Sequence, residues 1–419
     1  MIERTELLPG IFLRAVESHR FKTGCFSLSL LSSLGETASA NALFSSLPLR
    51  GTSSHPDLRA ISNALDDLYG ASVGTLVRKR GEVQSTGWYL DFLEDRYAPV
   101  PVFRPTLKLL EELVFSPLRE GAGYSVSRFE GERCNLRNAI AADLNDKRVY
   151  ATRQMLQTMC KEETYRFSRN GTQEQVDALT PEGLFQYGQE LLATAPIELF
   201  YMGAQPQETV IEAVRELLAP LRRGQAAPLP KTQLRPAPEQ VREVTEELPV
   251  SQSKLSMGFR TEPWFGLEDL AARIVFNVIY GGTNGKLFRV VREERSLCYY
   301  VSASYDRYKS IMAVSSGVSL EHVDTAREEI LRQLELCQRG QITPEELDMA
   351  KGLLCSSVRS DMDNPLRIDE FSLGQVVAGM DYDQRQLLET LSRVTLEDVI
   401  RAARGVQPDT YYCLKGVGE

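Results

Sequence analysis

The order of predicted elements in the first half of this chain recurs in the second, and that duplication limits the possible folds more than any other feature. Each half opens on a short strand, Cys25–Leu31 and Ser253–Phe259, followed by a helix over residues 37–47 and 267–280. Gly51-Thr52 stands after the first of these helices and Gly282-Thr283 after the second. Strand pairs follow at 70–79 with 82–92, and at 297–304 with 310–318. The first half continues with helices at 105–116 and 126–145 and a helical stretch reaching Cys160; the second has a helix at 323–337 and another opened by Thr343-Pro344-Glu345-Glu346. Asp143-Leu144-Asn145-Asp146 is echoed by Asp361-Met362-Asp363-Asn364, and Thr180-Pro181-Glu182-Gly183 by Thr395-Leu396-Glu397-Asp398. Strands at Ile197–Met202 and Tyr411–Leu414 close the halves. The pattern predicts an α+β chain of two homologous domains, each an antiparallel-rich sheet with helices packed on one side.

Length agrees, since 419 residues exceed the roughly 250–300 that one core organises. The expected domains are residues 1–223 and 241–419. Between them, residues 224–240 (GQAAPLPKTQLRPAPEQ) are rich in proline and read as an extended, semi-rigid linker. A net charge of −9 lacks the basic footprint of a nucleic-acid binder, and Arg78-Lys79-Arg80 reads as a solvated strand end. No run approaches 18 uncharged apolar residues, so no membrane span is expected. The N-terminal MIERTELLPGIFLRAVESHR lacks the apolar core of a signal peptide. Seven cysteines, scattered and never CxxC-spaced, suit a reducing compartment, so a cytoplasmic location is expected.

Chemistry concentrates in residues 281–304. Gly281, Gly282 and Gly285 predict a turn whose apex uses positive φ. Leu287, Phe288 and Val291 fall at helical spacing with Arg289, Arg292 and Arg295 between them, and Tyr299–Ser304 reads as a strand. On the residues alone, this is either one wall of a peptide groove or a plain helix-to-strand connection. Gly70-Ala71-Ser72-Val73-Gly74 fits G-x-S-x-G, but here a helix expected over residues 58–69 enters and a strand leaves, the reverse of a nucleophile elbow.

The run YGGTNGKLFRVVREERSLCYYV resembles the second-half signature of the insulinase/pitrilysin-type zinc metallopeptidases, close to LGGG-x-x-SRLF-x-x-LRE-x-RGLAY-x-V. Arg292, Glu293, Arg295, Leu297, Tyr299 and Val301 match position by position. The resemblance, to mitochondrial processing peptidase-like members, implies that Arg292 and Tyr299 bind substrate. It also implies a zinc motif in the first half, H-x-x-E-H before a GT pair, in which two histidines and a later glutamate hold the ion and the inner glutamate is the base. Aligned on Gly51-Thr52, the motif falls on Ala42-Leu43-Phe44-Ser45-Ser46, so both histidine positions (Ala42, Ser46) and the base position (Ser45) are lost. The distal glutamate position, set by FEGERCNLRNAI, is Ala139. His19, His55 and His322 are the only histidines, and none has a second ligand at useful spacing. No catalytic residue, metal or cofactor is therefore expected.

The resemblance implies a non-catalytic homologue that pairs with a zinc-bearing one and helps bind extended peptide, typically added as a strand to a sheet edge. A heterodimer is expected, with a homodimer as the other arrangement. The chain is also similar to bacterial inactive homologues associated with aminopentanol modification of elongation factor P. Two alternatives stand beside this reading: a structural scaffold subunit without peptide binding, and a self-sufficient peptidase with an unrecognised site.

Overall fold

The computed structural model describes residues 3–416, apart from the side chain of Leu144. Two compact units emerge. The first takes the chain up to Ala141 with Phe167–Lys231 and Asn364–Gly379; the second takes Ala142–Arg166, Thr232–Asp363 and the chain from Met380 on.

The first unit holds β1 (Thr5–Leu8), β2 (Ile11–Glu17), β3 (Thr23–Ser33), β4 (Ser72–Arg80), β5 (Val83–Leu93), a small hairpin of β6 (Arg119–Glu120) with β7 (Gly123–Tyr124), and β8 (Ile197–Gly203). The second holds β9 (Arg242–Leu248), β10 (Ser253–Thr261), β11 (Tyr300–Asp306), β12 (Ile311–Val318) and β13 (Val406–Gly416). The larger sheets run β1-β2-β8-β3-β5-β4 and β11-β12-β10-β13-β9. Read backwards, the second order matches β2-β8-β3-β5-β4 strand for strand. The single parallel pair also falls in the same place, β2 with β8 and β9 with β13. The duplication is a duplication of topology.

Strand alternation explains how each sheet serves two layers. Phe26, Leu28 and Leu30 of β3 enter the first unit's main core with Leu43, Phe44, Trp88 and Leu191. The intervening Cys25, Ser27, Ser29 and Leu31 are equally buried on the other face. There Leu31 and Val83 pack with Leu373, and Phe200 and Met202 with Ile368. Leu373 and Ile368 belong to the helix Pro365–Ala378, which comes from the second half of the sequence. The exchange is reciprocal, because the first half supplies the helix Lys147–Met159 to the second unit, where Met155 and Met159 pack with Tyr412 and Leu414. Thus each sheet carries its main helical layer on one side and one further helix on the other.

The repeated tetrads are the caps of these exchanged helices. Asp146 accepts from the amides of Arg148 and Val149, and Asn364 from those of Leu366 and Arg367, satisfying first-turn donors in the same way. Thr180 and Thr395 likewise cap the helices that precede the closing strands. Residues 224–238 carry no regular helix or strand, and among the described residues no helix is long and apolar enough to cross a membrane.

Two local expectations need correction. Arg78 and Arg80 are not solvated: Arg80 is buried and Arg78 pairs with Glu370 at 3.1 Å, because the exchanged helix covers that end of β4. Nor do Gly281, Gly282 and Gly285 adopt positive φ. Gly281 is needed for close approach, since a Cβ there would lie 2.2 Å from the Ala303 methyl and 2.4 Å from its amide nitrogen.

Candidate functional site

The helix Ala38–Ser46 carries the first candidate positions. It is fixed from several sides. Phe44 meets Trp88 edge-on at 5.6 Å, and the Trp88 indole donates to the Ser45 carbonyl at 2.8 Å. Asn41 donates to Gln84 and Ser32 and accepts from Tyr187. On this rigid support, Ala42 presents only a methyl. The Ser45 hydroxyl turns back to the Ala42 carbonyl at 2.9 Å, and that of Ser46 to the Leu43 carbonyl at 3.0 Å, the usual self-satisfaction of a helical serine.

The distal helix, Val126–Asn145, offers no replacement. Ala139 is exposed, and the buried Glu132 is held by the Arg50 guanidinium at 2.6 Å and by Asn135 at 2.7 Å. The nearest histidine in sequence, His55, contacts Glu112 at 3.1 Å, and that carboxylate also binds Thr52. The donor set does not fit zinc: a methyl cannot ligate, and the neutral hydroxyls are committed to carbonyls. No chemistry through a metal follows from these residues.

In the second unit, Leu287–Glu294 forms a wide π-helical turn, closed by the Arg295 amide bonding to the Val290 carbonyl. Leu287 and Val291 are buried beneath it. Its three arginines part company. Arg289 is tied to Glu346 at 2.6 Å, a carboxylate shared with Lys286, and Arg295 to Glu329 at 3.2 Å. Arg292 has no carboxylate within ion-pair distance among the described residues; its guanidinium lies 4.7 Å from the Phe288 ring centroid. The chain then turns through Ser296, at φ 52°, and Tyr299 emerges 58% exposed immediately before β11. The Tyr299 amide bonds to Gly317, while its side chain stays at the surface. So Arg292 and Tyr299 flank one short turn, both exposed, at the start of a strand that has a sheet neighbour on one side only. Sequence spacing did not reveal which arginine would lack a carboxylate, because Glu329 and Glu346 lie on later helices.

The family model for the Peptidase M16 inactive domain matches residues 178–354. The "probable inactive metalloprotease YmfF" of Bacillus subtilis strain 168 is 30% identical over 413 residues, covering 97% of this chain and 96% of that protein. The chain belongs to the M16 peptidase family. It is a non-catalytic member. Among solved structures, a conserved protein of Enterococcus faecalis V583 has a TM-score of 0.93 at 24% identity, covering 100% of this chain and 99% of that one. A peptidase M16 inactive domain from Pseudomonas fluorescens has a TM-score of 0.80 at 18% identity, covering 100% and 98%. These two likenesses describe the fold of this M16 homologue. The "uncharacterized zinc protease YmxG", also of Bacillus subtilis strain 168, is 21% identical over 245 residues, 58% of each chain.

Proposed function

We propose that this M16 homologue is a substrate-binding subunit that pairs with a zinc-bearing homologue in the cytoplasm and presents extended peptide to it. The observation that carries the reading is Arg292. Surface arginines on helices normally pair with neighbouring carboxylates, as Arg289 and Arg295 do, whereas Arg292 stands free of them and is oriented by stacking on Phe288. A guanidinium free of carboxylates, one turn ahead of an exposed tyrosine at the start of an edge strand, suits an extended peptide. The strand edge bonds main chain, the guanidinium takes a carbonyl or carboxylate, and the tyrosine covers an adjoining side chain. Pairing is supported by the coexistence, in one Bacillus subtilis strain, of an inactive relative and a zinc protease that both resemble this chain.

Co-expression with a zinc-bearing M16 homologue from the same genome, followed by co-purification and a peptide-cleavage assay, tests the reading. A stable one-to-one complex is expected, with cleavage falling about tenfold or more in an Arg292→Ala/Tyr299→Ala variant, the loss of roughly 1.4 kcal/mol of binding. A complex whose cleavage ignores that double variant would instead be a scaffold pairing. A chain that forms only homodimers and binds no peptide overturns the proposal.

A further inference from the structure

Tyr300, the first residue of β11, is gripped by cations. The Arg148 guanidinium lies 4.5 Å from its ring centroid, and the Lys254 ammonium 5.8 Å. Arg148 also donates to the Ser302 hydroxyl at 3.1 Å. By strand alternation, Tyr300, Ser302 and Ser304 share one face of β11 and lie opposite Gly317, Ser315 and Ala313 of β12. Gly317 makes room for the aromatic ring, since a Cβ there would come within 2.4 Å of it. The result is a floor of small residues walled by Tyr300 and by Arg148, with Ser304 and Arg148 exposed.

The electrostatics of this corner oppose those of the whole chain, whose net charge is −9. Arg148 and Lys254 meet on it, and Arg292 precedes it by one turn. The local acid is Asp146, within electrostatic reach of both Lys254 and Tyr300; Glu246, which accepts from Tyr150 and Tyr412, sits on β9 at the opposite edge of the sheet. Burial pushes the Lys254 ammonium below its ordinary pKa, with Asp146 pulling the other way. A further anion settling here would relieve that penalty. Stacking and the Ser302 bond hold the guanidinium in place, so a carboxylate meeting it loses little side-chain entropy.

We infer that this face selects a carboxylate side chain, glutamate or aspartate, on a peptide laid along the edge of β11, with Arg148 as the specificity-determining residue. The inference rests on the peptide-binding reading above and deepens it.

The test measures fluorescence anisotropy of short dye-labelled peptides, otherwise identical, carrying Glu, Gln or Lys at alternate positions, against the full chain with its co-purified partner. The Glu peptide should bind about tenfold tighter than the Lys peptide, the range of one charge-assisted bidentate contact. Added salt should narrow that gap. Arg148→Gln should abolish the preference while binding of the Gln peptide persists, and Arg148→Lys should retain part of it. Equal binding of all three peptides by the unmodified chain overturns the charge selectivity and leaves the peptide-binding reading standing. Failure of all three to bind overturns both. A preference that survives both Arg148→Gln and Lys254→Gln overturns the assignment to this face.

Discussion

The two exchanged helices occupy equivalent places on topologically matching sheets, yet they are held there by different means. In the second unit, Lys147–Met159 ends on cations. Arg260 and Arg242 both donate to the Met159 carbonyl, at 3.2 and 3.1 Å, where the helix presents its negative pole. Behind them the charges close on one another. Arg260 binds Glu163 at 2.5 Å and Asp409 at 3.0 Å, Arg242 binds Asp409 at 2.7 Å, and the buried Lys309 reaches Glu163 at 2.6 Å. In the first unit, Pro365–Ala378 lies over a looser polar layer. Asp369 approaches Arg78 only to 3.9 Å. Ser29, Ser85, both amide atoms of Gln375 and one terminal nitrogen each of Arg78 and Arg80 are buried without a hydrogen-bond partner among the described residues. Glu370 of the same helix still pairs with Arg78 at 3.1 Å, so one topology tolerates a fully satisfied ionic seat and a partly satisfied one. The difference lies in side chains alone, and it gives the two seats opposite responses to pH.

Those responses follow from two carboxyls. Burial works against the charge of Glu163, but Arg260 and Lys309 more than offset it and hold its pKa below the ordinary 4.5. Its contribution to stability is present above that value and is lost as pH falls below it. Asp369 is raised from 3.8 to about 6, chiefly by burial, with Arg78, Ser27 and Arg80 only partly offsetting it. The folded state therefore binds its proton more tightly than the unfolded chain, and stability declines as pH climbs from about 4 to about 6.

The largest effect should come from cutting the closed seat. Arg260→Met leaves Glu163 and Asp409 buried with fewer partners and should cost about 3–5 kcal/mol, read as a lower urea midpoint and faster amide exchange in Lys147–Met159. An unchanged midpoint would mean that the network is solvated and the contrast false. Next, Asp369→Asn should stabilise the first unit at pH 7 by roughly 2–3 kcal/mol, the free-energy equivalent of its shift. The gain should shrink as pH falls below about 6 and vanish only below the ordinary 3.8, where both states are protonated, so the difference between the two proteins across denaturant melts isolates this carboxyl from all others. A pH-independent difference would remove the burial argument. The smallest effects sharpen the symmetry: Asp146→Ala and Asn364→Ala should each cost about 1 kcal/mol, because both caps serve two first-turn amides. A clear inequality between them would show that the seat, and not the cap, governs how firmly each helix is held.

Much of this architecture is legible in the sequence because its signals are local. The apolar alternation of Cys25–Leu31, the threonine caps at Thr180 and Thr395 and the Asp146 and Asn364 turns all act within a few residues. What escapes the sequence is non-local. Nothing within residues 147–159 or 365–378 states which sheet their apolar faces will find. β9, REVTEEL, alternates charged and half-buried residues and seats itself only by parallel pairing with β13. The burial of Arg78 and Arg80 depends on Glu370, some 290 residues away, and the position of Arg148 over Tyr300 joins residues about 150 apart. Sequence separation of this kind also raises the entropic cost of closing each contact, so these seats are expected to form late in folding.

The reciprocal loan of a helix also carries a historical reading. A single ancestral half whose equivalent helix does not fold back over its own sheet would leave that face bare, and two identical copies could each cover the other's by exchange. Joining such a swapped pair through a proline-rich tether yields the present arrangement in one polypeptide, after which the copies were free to diverge. On this account, a gene split within the segment encoding 224–240 should still yield a working pair of fragments that find one another, whereas either fragment made alone should be insoluble.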